Sequence, residues 1–253
     1  MIEPDPAFLA VRNVSMRFGG LLAVSDASFF VKEGSITGLI GPNGAGKTTL
    51  FAIVSGFQKP TSGHVLWKGE EITARPPHLL ARAGIARTFQ IVQPFAGLSV
   101  RENIAVGAFL RHKRRDDAIA LAETVAARVG LTAELDKPAA ALTVAGRKRV
   151  ELAKALATEP KLLLLDEVLA GLNPSEVRDI VPVVRAIRDS GVTVLMIEHV
   201  MQAVMNLCEA VHVLAQGRII ASGTPAEVVA TPAVVEAYLG HGAATRLSGK
   251  RDA

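Results

Sequence analysis

The chain has 253 residues and a formal net charge of +4 at pH 7, with 49% hydrophobic and 21% charged residues. This composition excludes disordered, collagen-like and disulfide-scaffold proteins, and the length allows one large domain or two small ones. The single cysteine, Cys208, can form no internal disulfide, which indicates a reducing, intracellular compartment. Aromatic residues make up only 4%, which argues against stacking on single-stranded nucleic acid, so no nucleic-acid partner is expected.

The mean hydropathy of +0.32 is high for a soluble protein and leaves room for a buried partner surface. No apolar run approaches the roughly 18 residues that a membrane helix needs. The start of the chain is acidic and interrupted by prolines, unlike a signal peptide. We therefore expect a cytoplasmic protein.

Apolar runs alternate with helical patterns, which is typical of an α/β fold. Strands are predicted at residues 8–14, 27–31, 35–40, 162–165, 192–197, 211–215 and 218–221. Helices are predicted at residues 47–55, 116–129, 147–157 and 174–188. Capping boxes are predicted where Asn173 precedes Pro174 and Glu176, and where Thr224 precedes Glu227.

Residues 100–142 are helical and charged and contain no strand pattern. We interpret them as a helical subdomain inserted into a core formed by residues 8–99 and 143–240. The last residues, 241–253, show no apolar period and are expected to form a flexible tail.

The segment at residues 41–49, here called the phosphate loop, fits the pattern G-x-x-x-x-G-K-[ST] and lies between a predicted strand and a predicted helix. Its backbone N–H groups and the helix N-terminus can surround a β-phosphate. Lys47 can reach the β- and γ-phosphate oxygens, and the Thr48 hydroxyl can bind Mg²⁺. The predicted phosphate-binding residues are Gly41, Asn43, Gly44, Ala45, Gly46, Lys47, Thr48 and Thr49. A glycine-rich turn without function is the alternative.

Four leucines at 162–165 deliver Asp166 and Glu167 to the carboxyl end of a buried strand, where open α/β sheets bind ligands. Asp166 would hold Mg²⁺, and Glu167 suits a general base that polarises the attacking water. A strand followed by a charged turn is the alternative.

With these two motifs in order, the chain resembles the nucleotide-binding subunit of an ABC transporter over nearly its whole length. The resemblance implies a P-loop NTPase core, with a mixed sheet, flanking helices, an antiparallel β subdomain and the inserted helical subdomain. It also implies that Phe18 stacks on adenine and that His199 contacts the γ-phosphate. Gln90 would touch Mg²⁺ and the attacking water and sense the membrane partner. Taken singly, these three would more often be a core aromatic, a surface glutamine and a strand-end histidine.

The signature loop of the family, usually L-S-G-G-Q, corresponds here to residues 142–146, Leu-Thr-Val-Ala-Gly. The resemblance implies that Thr143, Ala145 and Gly146 bind the γ-phosphate held by an opposite subunit. Val144 and Ala145 replace two glycines, which restricts the backbone dihedral angles. Val168 stands where the family usually has proline, and we expect it to be tolerated.

Residues 84–90, 170–174 and 236–240 are similar to one branch, the ATP-binding subunits of importers for branched-chain amino acids, urea and amides. This branch implies two transmembrane permease subunits, a second ATPase subunit of the same or a related kind, and indirectly a periplasmic or surface solute-binding protein. It places the chain on the cytoplasmic face of the inner membrane. ATP would lie between Lys47 of one subunit and Thr143 of the other, and its hydrolysis would release the closed dimer.

The segment 94–100 is apolar and rich in turns, which suits docking of a permease helix near Gln90. A buried loop plug is the alternative. The basic run at 111–115 could meet anionic lipid or a partner, but a solvated turn before a helix starting at Asp116 is favoured. Rival functions are an exporter ATPase of lipopolysaccharide type, a soluble ABC ATPase acting on ribosomes or DNA, and a binding module with a degenerate site.

Overall fold

The computed structural model describes residues 7–239, so the predicted tail at 241–253 lies outside the described residues. The chain divides into two compact units. Within the described residues, the first combines residues 7–76 with residues 195–239, and the second comprises residues 77–194. Within the described part, no helix combines the length and the apolar character needed to cross a membrane.

Each predicted strand is present, with ends shifted by up to six residues. The strands are β1 (Leu9–Phe18), β2 (Leu21–Val31), β3 (Ile36–Ile40), β4 (Ser62–Trp67), β5 (Glu70–Glu71), β6 (Ile85–Arg87), β7 (Leu162–Asp166), β8 (Thr193–Ile197), β9 (Ala210–Ala215) and β10 (Arg218–Gly223). The sequence did not predict β4, β5 and β6, because β5 and β6 have only two and three residues and β4 begins with Ser-Gly-His, which is not an apolar run.

The predicted helices are also present. The helices are α1 (Lys47–Val54), α2 (Pro77–Ala83), α3 (Val100–Ala108), α4 (Arg115–Arg128), α5 (Val144–Leu156), α6 (Pro174–Asp189), α7 (Met201–Leu207), α8 (Pro225–Ala230) and α9 (Pro232–Leu239), with 3-10 turns at Thr132–Glu134 and Ala139–Ala141. α5 begins at Val144, three residues before the predicted start, because Thr143 caps it. α4 begins at Arg115, one residue before the predicted Asp116.

The first unit contains an antiparallel sheet in the order β2-β1-β4-β5. In the same unit β3 pairs in parallel with β9, and β9 pairs antiparallel with β10. All five residues of β3 are buried, as expected for a strand covered on both faces. These strands confirm the predicted α/β class with a mixed sheet and an antiparallel subdomain.

Two polar side chains are buried in the first unit without serving the predicted site. Burial raises the pKa of the Cys208 thiol to about 12, so the thiol stays protonated and unreactive near neutral pH. Burial also lowers the pKa of His212, which keeps its imidazole neutral. Nε2 of His212 donates to the Phe30 carbonyl at 2.9 Å, and Nδ1 accepts from the Ser222 hydroxyl at 2.8 Å. The neutral ring thus joins strands of this unit.

In the second unit β6 runs parallel to β7, with Ile85 opposite Leu162 and Arg87 opposite Leu164. Residues 100–142 form α3, α4 and the 3-10 turns, and none of them lies in a named strand. The buried side chains of α3 and α4 are mostly small, which lets these helices pack closely. The capping box predicted at Asn173 is confirmed, since its side chain accepts from Ser175 and Glu176 while Glu176 accepts from the Asn173 N–H.

Gly107 of α3 marks a close helix crossing, and its replacement by alanine should destabilise the protein. A Cβ there would lie 2.2 Å from the Lys154 carbonyl oxygen of α5. The strain should cost about 1–3 kcal/mol, which outweighs the helix-propensity gain of about 1 kcal/mol. The measurement is the midpoint of urea unfolding. Gly97→Ala is the matched control, because nothing lies within 4 Å of its added Cβ. Equal midpoints for the two variants would contradict the crossing.

Candidate active site

The phosphate loop connects β3 to α1, and α1 begins at Lys47 as predicted. The Lys47 ammonium is buried and donates hydrogen bonds to the carbonyl oxygens of Gly41 (2.8 Å) and Pro42 (2.9 Å). Asn43 and Thr48 are exposed. The loop therefore curls around its own lysine, while Asn43 and Thr48 remain accessible to a ligand.

Two glycines of the phosphate loop are required by neighbouring backbone. Gly41 has a φ of +150°, and a Cβ there would lie 1.9 Å from the Leu214 carbonyl oxygen. Gly46 has a φ of +105°, and its Cβ would lie 2.5 Å from the Ala23 carbonyl oxygen. Glycine suits both positions because it has no Cβ and tolerates positive φ. β9 and the start of β2 thus fix the shape of the loop.

Two further contacts anchor the phosphate loop within the first unit. The Gly217 N–H, in the turn between β9 and β10, donates to the Ala45 carbonyl at 3.0 Å. The Tyr238 hydroxyl of α9 is hydrogen-bonded to the Gly41 backbone, which opposes the rise in its pKa caused by burial. Tyr238 belongs to the ending at 236–240 on which the branch resemblance partly rests.

Asp166 and Glu167 follow β7 in different environments. Asp166 is 2% exposed, whereas Glu167 is half-buried. Glu167 has a φ of +50°, a left-handed conformation that costs free energy in a non-glycine residue and is often kept at functional sites. Its carbonyl accepts from the Lys148 ammonium at 2.9 Å, and Gln90 Nε2 donates to its carboxylate at 2.7 Å. The structure thus joins Gln90 to Glu167, two residues that were predicted separately.

Asp166 is held by residues that the sequence analysis assigned no role. Its Oδ2 lies 2.7 Å from Nη2 of Arg87, the last residue of β6. The Thr88 hydroxyl accepts from the Asp166 N–H at 3.1 Å, and the Thr88 N–H donates to the Leu164 carbonyl at 2.9 Å. The pairing of β6 with β7 therefore continues as far as the acid.

The sequence contains features that could have marked Arg87 and Lys148 as buried cations. Arg87 is a cation directly after two apolar residues of a short strand. Lys148 lies on the same helical face as Ala145 and Leu152, and a lysine among apolar residues needs a buried partner. Their partners are distant in sequence, so only the fold could identify them.

The signature loop forms the beginning of α5. The Thr143 hydroxyl accepts from the Gly146 N–H at 3.1 Å, so Thr143 is the N-cap. Val144 is 52% exposed. Val144 and Ala145 are the first two residues of α5 and have no positive φ, so the replacement of the family glycines does not strain this segment. Helix N-termini attract anions, which fits a phosphate-binding segment.

Phe18 and His199 lie at strand ends of the first unit. Phe18 is the last residue of β1 and is 47% exposed, so its ring is accessible. His199 lies two residues after β8 and is exposed. The core-aromatic alternative for Phe18 therefore does not apply.

The donor chemistry of the predicted metal ligands fits Mg²⁺. Thr48, Gln90 and Asp166 offer hydroxyl, amide and carboxylate oxygens, which this hard cation prefers together with phosphate oxygens. Across residues 7–239 no group of three or more His, Cys, Asp or Glu side chains forms a metal cage.

Comparison with known proteins identifies the family. A model of the ABC transporter family matches residues 24–170. The chain belongs to the ABC transporter family. A second model, of branched-chain amino acid ATP-binding cassette transporters, matches residues 218–244. Both matches confirm the resemblance drawn from the motifs.

This ABC protein is similar to transport ATP-binding proteins along almost its whole length. The high-affinity branched-chain amino acid transport ATP-binding protein LivG of Salmonella typhimurium is 38% identical over 248 residues, covering 92% of this chain and 97% of LivG. BraF of Pseudomonas aeruginosa, which carries the same description, is 39% identical over 249 residues, with the same coverage. The lipopolysaccharide export system ATP-binding protein LptB of Escherichia coli is 36% identical over 239 residues, covering 92% and 98%.

A solved structure shares the fold. The crystal structure of a nucleotide-free ATP-binding cassette from an ABC transporter is 32% identical, covers 93% of this chain and 100% of that cassette, and superposes with a TM-score of 0.85. The predicted P-loop NTPase fold and the predicted enzyme class are confirmed. The chain is an ATP-binding and ATP-hydrolysing subunit of ABC type.

Proposed function

We propose that this ABC ATPase powers an importer of branched-chain amino acids or related amides. The match of residues 218–244 to the branched-chain model carries the proposal, because this segment lies outside the two phosphate motifs and so reports the branch rather than the shared chemistry. The identity to LivG and BraF supports the same assignment. The exporter alternative has the weaker support, since LptB is slightly less similar.

In the proposed reaction each site residue has a distinct role. The phosphate loop and Lys47 bind the phosphates, Phe18 stacks on adenine, and His199 contacts the γ-phosphate. Glu167 accepts the proton of the attacking water, with Gln90 orienting its carboxylate. Thr48, Gln90 and Asp166 would hold Mg²⁺, which when bound neutralises charge on the phosphate oxygens. The Gln90–Glu167 hydrogen bond and the Lys148 contact support the role of Glu167, because they fix its orientation.

We infer that the working form contains two ATPase subunits facing head to tail. Thr143, Ala145 and Gly146 of one subunit then contact the γ-phosphate bound by the other. Their position at the N-terminus of α5 supports this role, since the helix dipole and N–H groups attract an anion there. The Thr143 hydroxyl would exchange its Gly146 contact for a phosphate oxygen.

A permease is proposed to dock beside the segment 94–100. Nearby apolar side chains are exposed, with Phe89 at 43%, Ile91 at 74% and Phe95 at 49%. The fully buried Asn103 donates to the carbonyl oxygens of Phe95, Leu98 and Ser99 and accepts from the Phe95 N–H. A firmly held loop with exposed apolar side chains favours a docking surface over the alternative of a buried plug.

The roles above also lead to a proposed domain organisation and a proposed cellular location. We propose one ABC ATPase domain over residues 8–240, with core segments 8–99 and 143–240 and a helical subdomain near 100–142. The protein would associate peripherally with the cytoplasmic face of the inner membrane through two permeases. The basic run 111–115 is better explained as a solvated turn, since four of its five residues are exposed.

Affinity capture of the tagged full-length protein from detergent-solubilised native membranes tests this function. Recovery of two permeases and a second ATPase is expected, and the purified complex in vesicles should then take up labelled leucine with ATP and the solute-binding protein. Recovery of lipopolysaccharide-export components would favour the exporter. Ribosomal or DNA-repair partners without a permease would refute transport.

A further inference from the structure

Arg87 and Asp166 form a buried ion pair at the ends of two neighbouring strands. The Arg87 and Asp166 side chains are only 9% and 1% exposed, with 2.7 Å between Nη2 and Oδ2. Because β6 and β7 are parallel and paired up to Arg87 and Leu164, both strands end at the same edge. The guanidinium also lies over the Phe89 ring, 5.5 Å from its centroid. The ion pair and the Phe89 ring thus hold the Arg87 guanidinium next to the Asp166 carboxylate.

The four residues from Arg87 to Gln90 hold both acids of the site. Arg87 binds the Asp166 carboxylate, and the Thr88 hydroxyl accepts the Asp166 N–H. Gln90 donates to the Glu167 carboxylate. A change in the contacts of Asp166 can therefore alter the position of Glu167 through this short segment.

The ion pair and a metal ion compete for one carboxylate. A buried carboxylate needs a compensating cation, and Arg87 supplies one to Oδ2 of Asp166. A divalent ion on the same carboxylate would face the nearby guanidinium, and like charges at close range repel. A small pocket lined by Thr88, Lys148, Asp166 and Glu167 lies beside this carboxylate.

We propose that Arg87 is the resident counter-ion of Asp166 in the metal-free protein and releases it when Mg²⁺ arrives with the nucleotide. The inference rests on the proposed role of Asp166 as a Mg²⁺ ligand. It makes Arg87 a positioning residue whose release also loosens the segment that holds Glu167 through Gln90. Magnesium loading is thereby linked to the orientation of the general base.

Calorimetric titration with ADP tests the exchange without relying on turnover. The full-length protein is titrated with saturating Mg²⁺ and again with EDTA, and the ratio of the two Kd values gives the magnesium enhancement. In Arg87→Met the guanidinium no longer balances the charge of Asp166, which repels ADP more strongly when metal is absent. When metal is present, Mg²⁺ no longer faces the Arg87 charge. The enhancement should therefore rise about tenfold or more over wild type.

Arg101→Met is the matched control. Arg101 also forms ion pairs, with Glu123 at 3.0 Å and Asp136 at 2.7 Å, but its side chain is 31% exposed. Its loss should leave the magnesium enhancement unchanged. An equal rise in both variants would overturn the inference, because it would reflect a general loss of positive charge.

The remaining outcomes separate this inference from the proposed function. If the wild-type protein shows a magnesium enhancement and Arg87→Met leaves it unchanged, Arg87 is a permanent counter-ion. This outcome overturns the inference but not the proposed function. A wild-type protein without enhancement would remove Asp166 from the magnesium site, and the inference with it. If Arg87→Met does not fold, ¹⁵N-arginine NMR of wild type decides. The Arg87 Nε–H signal, assigned with Arg87→Lys, should shift with Mg·ADP but not with ADP and EDTA, and an identical signal in both would overturn the exchange.

Discussion

Replacing Lys47 with alanine should lower the rate of ATP hydrolysis by about a hundredfold to a thousandfold. The lysine supplies the charge that stabilises the β- and γ-phosphate oxygens as negative charge develops in the transition state. Its ammonium also donates hydrogen bonds to the carbonyl oxygens of Gly41 and Pro42. The substitution therefore removes both the charge and the support of the phosphate loop.

The measurement for this variant is phosphate release, with Mg·ATP affinity from calorimetry in parallel. Lys113→Ala is the matched control, because Lys113 is an exposed lysine outside the phosphate-loop motif. The control should hydrolyse ATP at the wild-type rate. Turnover near wild type in Lys47→Ala would remove residues 41–49 from the catalytic site.

The phosphate loop and the acids after β7 could be predicted because each motif is continuous in sequence. A glycine-rich turn between a strand and a helix, and four leucines before Asp166, carry their structural context with them. The constraint on Gly41 could not be predicted, because it comes from the Leu214 carbonyl oxygen in β9. The phosphate-loop motif explains Gly41 by phosphate binding. The fold adds a second reason, which is the close approach of the Leu214 backbone.

The contacts that orient the acids were missed because they join distant parts of the sequence. Arg87 and Asp166 are 79 positions apart, and Gln90 and Glu167 are 77 apart. The pairing of β6 with β7 brings them together, and β6 has only three residues, Ile85–Arg87, too few for a periodic pattern. Long-range strand pairing therefore determined the part of the site that sequence patterns could not.

The start of α5 illustrates a different limit. The family resemblance implies that Thr143 is a phosphate ligand, whereas the sequence pattern predicts the helix only from residue 147. Thr143 is followed three residues later by Gly146, whose N–H it accepts, so its local role is that of a helix cap. Thr143 therefore has two roles, as a helix cap and as the proposed phosphate ligand. The family resemblance indicates only the second role.

Glu167→Gln should bind ATP and fail to cleave it, with turnover lowered by about a hundredfold or more. A glutamine side chain has nearly the same shape and can still accept a hydrogen bond from Gln90 Nε2 through its carbonyl oxygen. It cannot take a proton from the attacking water. Binding should thus survive while the chemical step is lost, and ATP-bound protein should accumulate as a closed dimer.

Single-turnover cleavage of ATP and the mass of the Mg·ATP-bound species measure the two parts of this expectation. Glu159→Gln is the matched control, because Glu159 is paired with His112 at 3.1 Å and has no proposed part in hydrolysis. Normal cleavage by Glu167→Gln would place the general base elsewhere. If Glu167→Gln loses both ATP binding and ATP cleavage, the carboxylate is instead needed to stabilise the left-handed backbone conformation at Glu167, which has a φ of +50°.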